Sequence, residues 1–212
     1  MGQNFVIIGP QASGKGTQAE LIAQRYKVDH LSIGELFRKE VSTGSKLGKQ
    51  LASYMNRGVL VPPELNNAFV EKVLSEHSSG AVLDGYPRTR EQAEFLDDHW
   101  SVDCVIVLRV PDKVCIDRIS GRRVCDNGHE YHVLFSPPKK VGVCDHDGLP
   151  LRMRSDDTPN SVKKRLATYH ARTEPVIAYY RNKGVLVLDV DGTGNIQEVR
   201  DLVAQELKKY LN

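Results

Sequence analysis

Gly9-Pro10-Gln11-Ala12-Ser13-Gly14-Lys15-Gly16-Thr17 follows directly on the apolar run Phe5-Val6-Ile7-Ile8, and this junction constrains the fold more than any other stretch. Gly9, four intervening residues, Gly14 and Lys15 have the spacing of a phosphate-binding P-loop. The strand before it and the helical stripe after it (Ala19, Ile22, Ala23, Tyr26) supply the context that motif requires. Small residues let backbone N–H groups face a phosphate, and the helix N-terminus adds the positive end of its dipole. Lys15 adds a point charge for a transferred phosphoryl group. A plain Gly-rich turn joining strand to helix is the alternative, and it leaves the lysine unexplained. One detail departs from the general pattern: Gly16 follows Lys15, so the hydroxyl comes one residue later, at Thr17.

Further apolar runs repeat the pattern. Ala81-Val82-Leu83 ends in Asp84-Gly85, Val105 to Leu108 ends near Val110-Pro111, Val185 to Leu188 ends in Asp189, and a weaker run covers His30-Leu31-Ser32. Unbroken β-branched runs suit strands buried on both faces, as in parallel sheets. In the last segment Ile196, Val199, Val203, Leu207 and Tyr210 share a helical face, and Asn195 with Glu198 reads as its capping box. The expectation is an α/β fold: a doubly wound, parallel five-stranded sheet with ligands at the carboxyl ends of its strands. Two stretches break the rhythm, a polar helical one from about Ile33 to Val61 and a Gly-, Pro-, Asp- and His-rich one from about Gly121 to Asp157. The domain reading is a core of 1–31, 62–120 and 158–212, with insertions at 32–61 and 121–157.

Composition excludes several classes. With 29 Lys and Arg against 27 Asp and Glu, the net charge is only +2, whereas a nucleic-acid binder normally carries a clear basic excess. Hydrophobic residues make up 40%, too many for a disordered acidic tail. No apolar run reaches the roughly 18–20 residues of a membrane helix. The N-terminus has no signal-peptide pattern, and a myristoylation reading of Gly2 fails at Val6. A soluble cytoplasmic protein is expected. Cys104 and Cys115 read as buried small hydrophobes, whereas Cys125 and Cys144 lie in the polar second insertion.

Gly14-Lys15-Gly16-Thr17-Gln18 resembles the nucleoside monophosphate kinases, and adenylate kinases in particular. Leu31 to Arg38 is similar to the family segment that opens the monophosphate-binding lobe. Leu83 to Thr89 resembles its Asp-Gly-aromatic-Pro-Arg motif, with Gln92 four residues after Arg88. Arg118 to Arg123 resembles the way into the lid, and Arg154-Ser155-Asp156-Asp157 with Arg165 the way out. The resemblance spans nearly the whole chain. It implies a P-loop core with a helical monophosphate-binding insertion and a small lid, transferring the terminal phosphoryl group of ATP to AMP to give two ADP, with Mg2+, in a monomer.

Such a reaction gathers several negative charges, so catalysis is largely positioning and charge compensation, for which arginine's planar fork is suited. The resemblance assigns Ala12, Ser13, Gly14, Lys15, Gly16, Thr17, Arg118, Glu130, Tyr131 and Gly194 to ATP. It assigns Ile33, Arg38, Val59, Leu60, Val61, Gly85, Tyr86, Pro87, Arg88, Gln92, Arg154 and Arg165 to AMP. Lys15, Asp84, Arg88, Arg122, Arg154 and Arg165 serve the transfer, with Asp84 holding the waters of Mg2+. A helical offset of four residues would put Arg118 and Arg122 on one face. Any one of these arginines alone would read as a solvated surface charge.

The chain departs from the family at three places. Gln11 and Ala12 stand where Pro and Gly are usual; Ala12 tolerates positive φ poorly, so either the loop shape differs or that residue stays at negative φ. Ile33 replaces a Thr that contacts the monophosphate, and AMP is still expected to bind. The insertion has the length of long-lid members, which are held by a polar cluster or a structural metal. Here Cys125-Asp126-Asn127-Gly128-His129 faces Cys144-Asp145-His146-Asp147, lacking the usual second Cys. Cys125, His129, Cys144 and Asp147 would close a tetrahedral Zn2+ site with no open position, and His146 is an alternative ligand. A metal-free cluster of reduced thiols is the other reading. His132 is expected to support the lid without ligating. Two further functions remain as alternatives: a UMP/CMP kinase or other P-loop small-molecule kinase, and a non-enzymatic zinc ribbon binding nucleic acid.

Overall fold

The computed structural model describes residues 3–57, 59–77, 79–154 and 157–210. Gly2, and Ser155 and Asp156 of the motif leaving the lid, lie outside the described residues. Strands β1 (Phe5–Ile8), β2 (Asp29–Ser32), β3 (Ala81–Asp84), β4 (Cys104–Arg109) and β7 (Leu186–Asp191) form one parallel sheet in the order β2-β3-β1-β4-β7. The remaining two, β5 (Arg122–Val124) and β6 (Glu130–His132), form a separate antiparallel pair.

Alternate residues of each strand point to opposite faces, and both faces are covered. Val6, Ile8, Leu83, Val105 and Val107 join a cluster with residues of α2 (Ile33–Ser42), α3 (Lys46–Met55), α4 (Pro63–Ser75), α5 (Arg90–His99) and α8 (Glu174–Asn182). Phe5, Ile7, Val82, Ile106, Leu108, Leu188 and Val190 pack on α1 (Lys15–Tyr26) and α9 (Ile196–Lys208). Two further helices, α6 (Asp112–Ser120) and α7 (Pro159–Thr168), bracket the second insertion and share a small cluster of Cys115, Ile119, Val162 and Leu166.

The capping box is present: Asn195 Oδ1 accepts from the Gln197 and Glu198 N–H groups, and Glu198 Oε2 accepts from Asn195 N–H. The apolar face of α9 is shorter than its sequence stripe, because Ile196 is exposed and Tyr210 lies beyond the helix. The last strand starts one residue later than the Val185–Leu188 run and extends to Asp191. Its exposed Asp189 meets Arg109 Nε at 2.7 Å, as suits a strand with only one sheet neighbour. Arg118 and Arg122 do not share a helical face. Gly121 caps α6 after Ser120, so Arg122 already belongs to β5.

Candidate active site

The phosphate loop joins β1 to α1 above the carboxyl ends of the strands. Gly14, at φ 93°, occupies the left-handed region as N-cap of α1, a conformation that glycine adopts without steric cost. Ala12 also lies there, at φ 59°, so the expectation of negative φ at this residue does not hold. Its methyl packs against the Cys115–Leu166 cluster between α6 and α7. Lys15 Nζ donates to Pro10 O at 2.7 Å. Lys15 is half-buried, and the protein around its ammonium lowers the pKa to about 8. Burial is the main cause; Asp84 opposes it, and Arg88 assists.

This loop forms the floor of a cleft of about 1090 Å³. The ATP-side residues expected from sequence (Ala12 to Thr17, Arg118, Glu130, Tyr131 and Gly194) all line it. So do Ile33, Arg38, Val59, Leu60, Val61, Asp84, Gly85, Pro87, Arg88, Arg122, Arg154 and Arg165. Tyr86 and Gln92 do not. Each is 1% exposed, set behind the cleft wall, where the Tyr86 hydroxyl donates to Asn67 Oδ1 at 2.9 Å and Gln92 Oε1 accepts from Arg88 N–H at 2.7 Å. Among the described residues, seven Lys or Arg and four Asp or Glu line the cleft, so the basic excess of the chain is concentrated there. Ser13 Oγ and His30 Nε2, both lining it, are buried without a hydrogen-bond partner.

The basic side chains are held by different means. Arg118 donates to the carbonyls of Ser13 (3.4 Å), Thr193 (3.0 Å) and Gly194 (3.1 Å), tying α6 to the phosphate loop and to the loop after β7. Arg88 Nε donates to Gly85 O at 2.7 Å. Arg154 pairs with Glu130 across the lid. Asp157, 5% exposed, draws Arg122 (Nε to Oδ2, 2.9 Å), Arg165 (3.9 Å) and Gln11 (Nε2 to Oδ1, 3.3 Å) to one carboxylate. Arg38 lies 4.0 Å from Glu35, whose carboxyl is pushed up by burial.

In the lid, Cys125, His129, Cys144 and Asp147 bring their donor atoms within 4.8 Å of one another. Cys125 Sγ and Cys144 Sγ lie 3.3 and 3.4 Å from His129 Nδ1, and Asp147 Oδ2 lies 3.0 Å from it. Zinc bonds of about 2.0–2.3 Å in a tetrahedron imply ligand separations of about 3.3–3.8 Å, so the four groups fit the ion after a small expansion. His146 stacks on His129 with ring centroids 4.5 Å apart and stands outside the four-donor group. The Tyr131 hydroxyl is engaged on this cluster: it accepts from Asp145 N–H at 2.7 Å and lies 3.6 Å from Cys144 Sγ. His132 Nδ1 accepts from the Leu134 and Phe135 N–H groups, fixing the turn after β6.

Three participants had no role assigned from sequence. Asp157 stands in the motif that leaves the lid, but its work as an anchor for arginines is visible only in the structure. His30, 4.0 Å from Asp84, and Thr173, on the cleft wall, carry no motif of their own.

A parallel sheet with a phosphate loop after its first strand, a helical insertion on one side and a small lid on the other, defines a P-loop nucleoside monophosphate kinase. The family model for adenylate kinase matches residues 7–185. The adenylate kinase of Methanothrix thermoacetophila is 40% identical over 98% of this chain and 99% of its own. Those of Clostridium tetani (42%, covering 96% and 98%) and Streptomyces coelicolor (42%, covering 97% and 98%) are similarly close. The chain belongs to the adenylate kinase family.

Proposed function

We propose that this chain transfers the terminal phosphoryl group of ATP to AMP, reversibly, giving two ADP. The observation that carries the reading is the cleft itself, where the loop amides, Lys15 and six arginines converge between two insertions. The triphosphate lies along residues 12–17 and against Arg118, with Gly194 beside its nucleoside and Glu130 and Tyr131 on the lid above. AMP enters from the other side, its phosphate met by Arg38 and Arg88 and its base bordered by Val59, Leu60 and Val61. Gln92, buried behind the Gly85–Arg88 wall, acts on AMP indirectly, by accepting from the Arg88 N–H. Arg122, Arg154 and Arg165 meet the transferred group as residues 121–157 close over it. Residues 32–61 close from the opposite side. Both movements exclude water, which would otherwise compete as acceptor.

Asp84 would hold Mg2+ through water. A partly exposed carboxylate at a strand's carboxyl end, beside the phosphate loop, suits a hard cation that keeps much of its hydration. The ion supplies charge neutralisation between the phosphates. Cys125, His129, Cys144 and Asp147 would hold Zn2+, whose work is structural, since all four positions come from the protein. The chain acts as a monomer in the cytoplasm, without nucleic acid or membrane. Its small net charge supports the first absence, and no helix among the described residues is long and apolar enough to cross a membrane.

A coupled assay with ATP and each nucleoside monophosphate tests the reading. AMP is expected as the preferred acceptor despite Ile33, because the arginine clamp does not depend on that side chain. Lys15→Ala and Arg88→Ala should each lower kcat by about 10²–10³-fold, the loss typical of removing a preorganised charge contact. A much better acceptor than AMP, or either variant at full activity, would overturn it.

A further inference from the structure

Between α7 and α8 the chain makes one π-helical turn, Tyr169–Thr173, in which Glu174 N–H bonds to Tyr169 O, five residues back. The cause is local. Pro175 has no N–H to give to Ala171 O, and its ring crowds that carbonyl in a regular α-helix. Widening the turn by one residue relieves the conflict. Such single π turns are rare and recur at functional sites.

The extra residue changes which side chains face the cleft. In an unbroken α-helix at about 100° per residue, Arg165 and Thr173 would be offset by roughly 80°; absorbing one residue reduces that to about 20°. Both line the cleft. Thr173 is 8% exposed, and its Oγ1 donates to the carbonyl of Arg88 at 3.0 Å. The Arg88 peptide is thereby held at both ends, its N–H by Gln92 Oε1 at 2.7 Å and its C=O by Thr173.

We infer that Thr173 is a positioning residue for the monophosphate side of the reaction, and that the π turn exists to aim it and Arg165 into one cleft. This rests on the AMP-kinase reading above. Thr173 touches no substrate; it acts by fixing the backbone from which the Arg88 guanidinium reaches. Without it, the Arg88 backbone keeps only the bond from its N–H to Gln92 Oε1, and the arginine loses its aim more than the protein loses its fold.

The test is a series in the full chain, Thr173→Val, Thr173→Ala and Thr173→Ser, each melted to confirm that it folds. The valine variant keeps the shape and loses the donor, the alanine variant supplies a folded donorless protein should valine crowd the turn, and serine restores the donor. The donorless variants should raise KM for AMP about five- to tenfold, as for one lost hydrogen bond, with KM for ATP within about twofold of the parent. Serine should recover the parent's KM for AMP to within about threefold. Unchanged AMP kinetics in valine and alanine, equal losses for both nucleotides, or a serine no better than alanine would overturn the inference. A parent chain that transfers nothing to AMP would overturn both readings at once; an active parent with indifferent variants overturns only this one.

Discussion

The two insertions that flank the cleft are held together by opposite means. The helical insertion, residues 32–61, is continuous with the main core: Ile33, Phe37, Leu51 and Val61 are buried in the same cluster as strand residues Val6, Leu83 and Val105. Its two helices also touch closely, since a side chain at Gly48 would meet Glu40 O at 2.4 Å. The lid has a separate and much smaller cluster, Cys125, Tyr131 and Cys144 with Leu149 and Leu151 at its edge, built round four potential metal ligands. A lobe too small to bury much apolar surface needs another kind of support. One insertion should therefore fail with the core, and the other should fail by itself.

The largest effect expected from this contrast is global. Leu51→Ala, at a fully buried position of the helical insertion, should destabilise the whole chain by about 2–5 kcal/mol, seen as a lower midpoint in thermal or denaturant melts. A local loss confined to residues 32–61, with the core melting as before, would break the continuity. Cys144→Ser makes the complementary cut. Metal affinity should fall by more than the roughly 10–100-fold typical of disturbing an outer partner, and residues 121–157 should become open to proteolysis and hydrogen exchange. The midpoint of the core should move far less than in Leu51→Ala. If the purified parent holds no zinc, or if both variants lower the midpoint equally, the contrast is wrong.

The same difference explains what was legible in the sequence. The phosphate loop, the five strands and the capping box at Asn195 are local patterns, each set by a few neighbouring residues with strict conformational needs, and the structure shows each of them. The grouping of the four lid residues was legible because two Cys, a His and an Asp at short spacings stand out in a polar stretch, and the structure brings their donor atoms together. What was not legible depends on register or on distant partners. Arg122 lies on a strand because Gly121 ends α6 one step earlier than a four-residue offset assumes. Ala12 takes a positive φ while packing against α6 and α7, and the reach of Thr173 follows from a π turn set by Pro175. None of these leaves a motif.

Lys15, on the phosphate loop, supplies a further test. Its pKa of about 8 in the cleft should return toward the ordinary 10.5 when a triphosphate sits against the ammonium. Between these values the bound form keeps a proton that the free form has lost. Binding therefore takes up a proton there, and ATP affinity falls by up to about tenfold per unit as pH rises above 8. Below pH 8 both forms are protonated, and Lys15 adds no slope. The linkage to folding has the opposite sign: the penalty for burying the charged ammonium is fully present below pH 8 and is relieved as pH rises toward 10.5. Calorimetry in buffers of different ionisation enthalpy reads the proton uptake directly. A pH-independent ATP affinity across 7–10 would mean that the lysine is not buried against the phosphates.

The smallest effect concerns Ala12, which joins the phosphate loop to the lid's flanking helices. Left-handed backbone at alanine costs about 1–2 kcal/mol, which Ala12→Gly would relieve. Against that, glycine adds about 0.4–1 kcal/mol of unfolded-chain entropy. It also gives up part of the roughly 0.8 kcal/mol of a buried methyl, here packed on Cys115, Ile119, Val162 and Leu166. The contributions nearly cancel, so the midpoint should shift by no more than the equivalent of about 1 kcal/mol. A loss well beyond that would show the methyl to be a principal tie between the loop and helices α6 and α7. The lid's base would then be anchored by apolar packing after all, as the other insertion is, and only its tip would depend on the cysteine cluster.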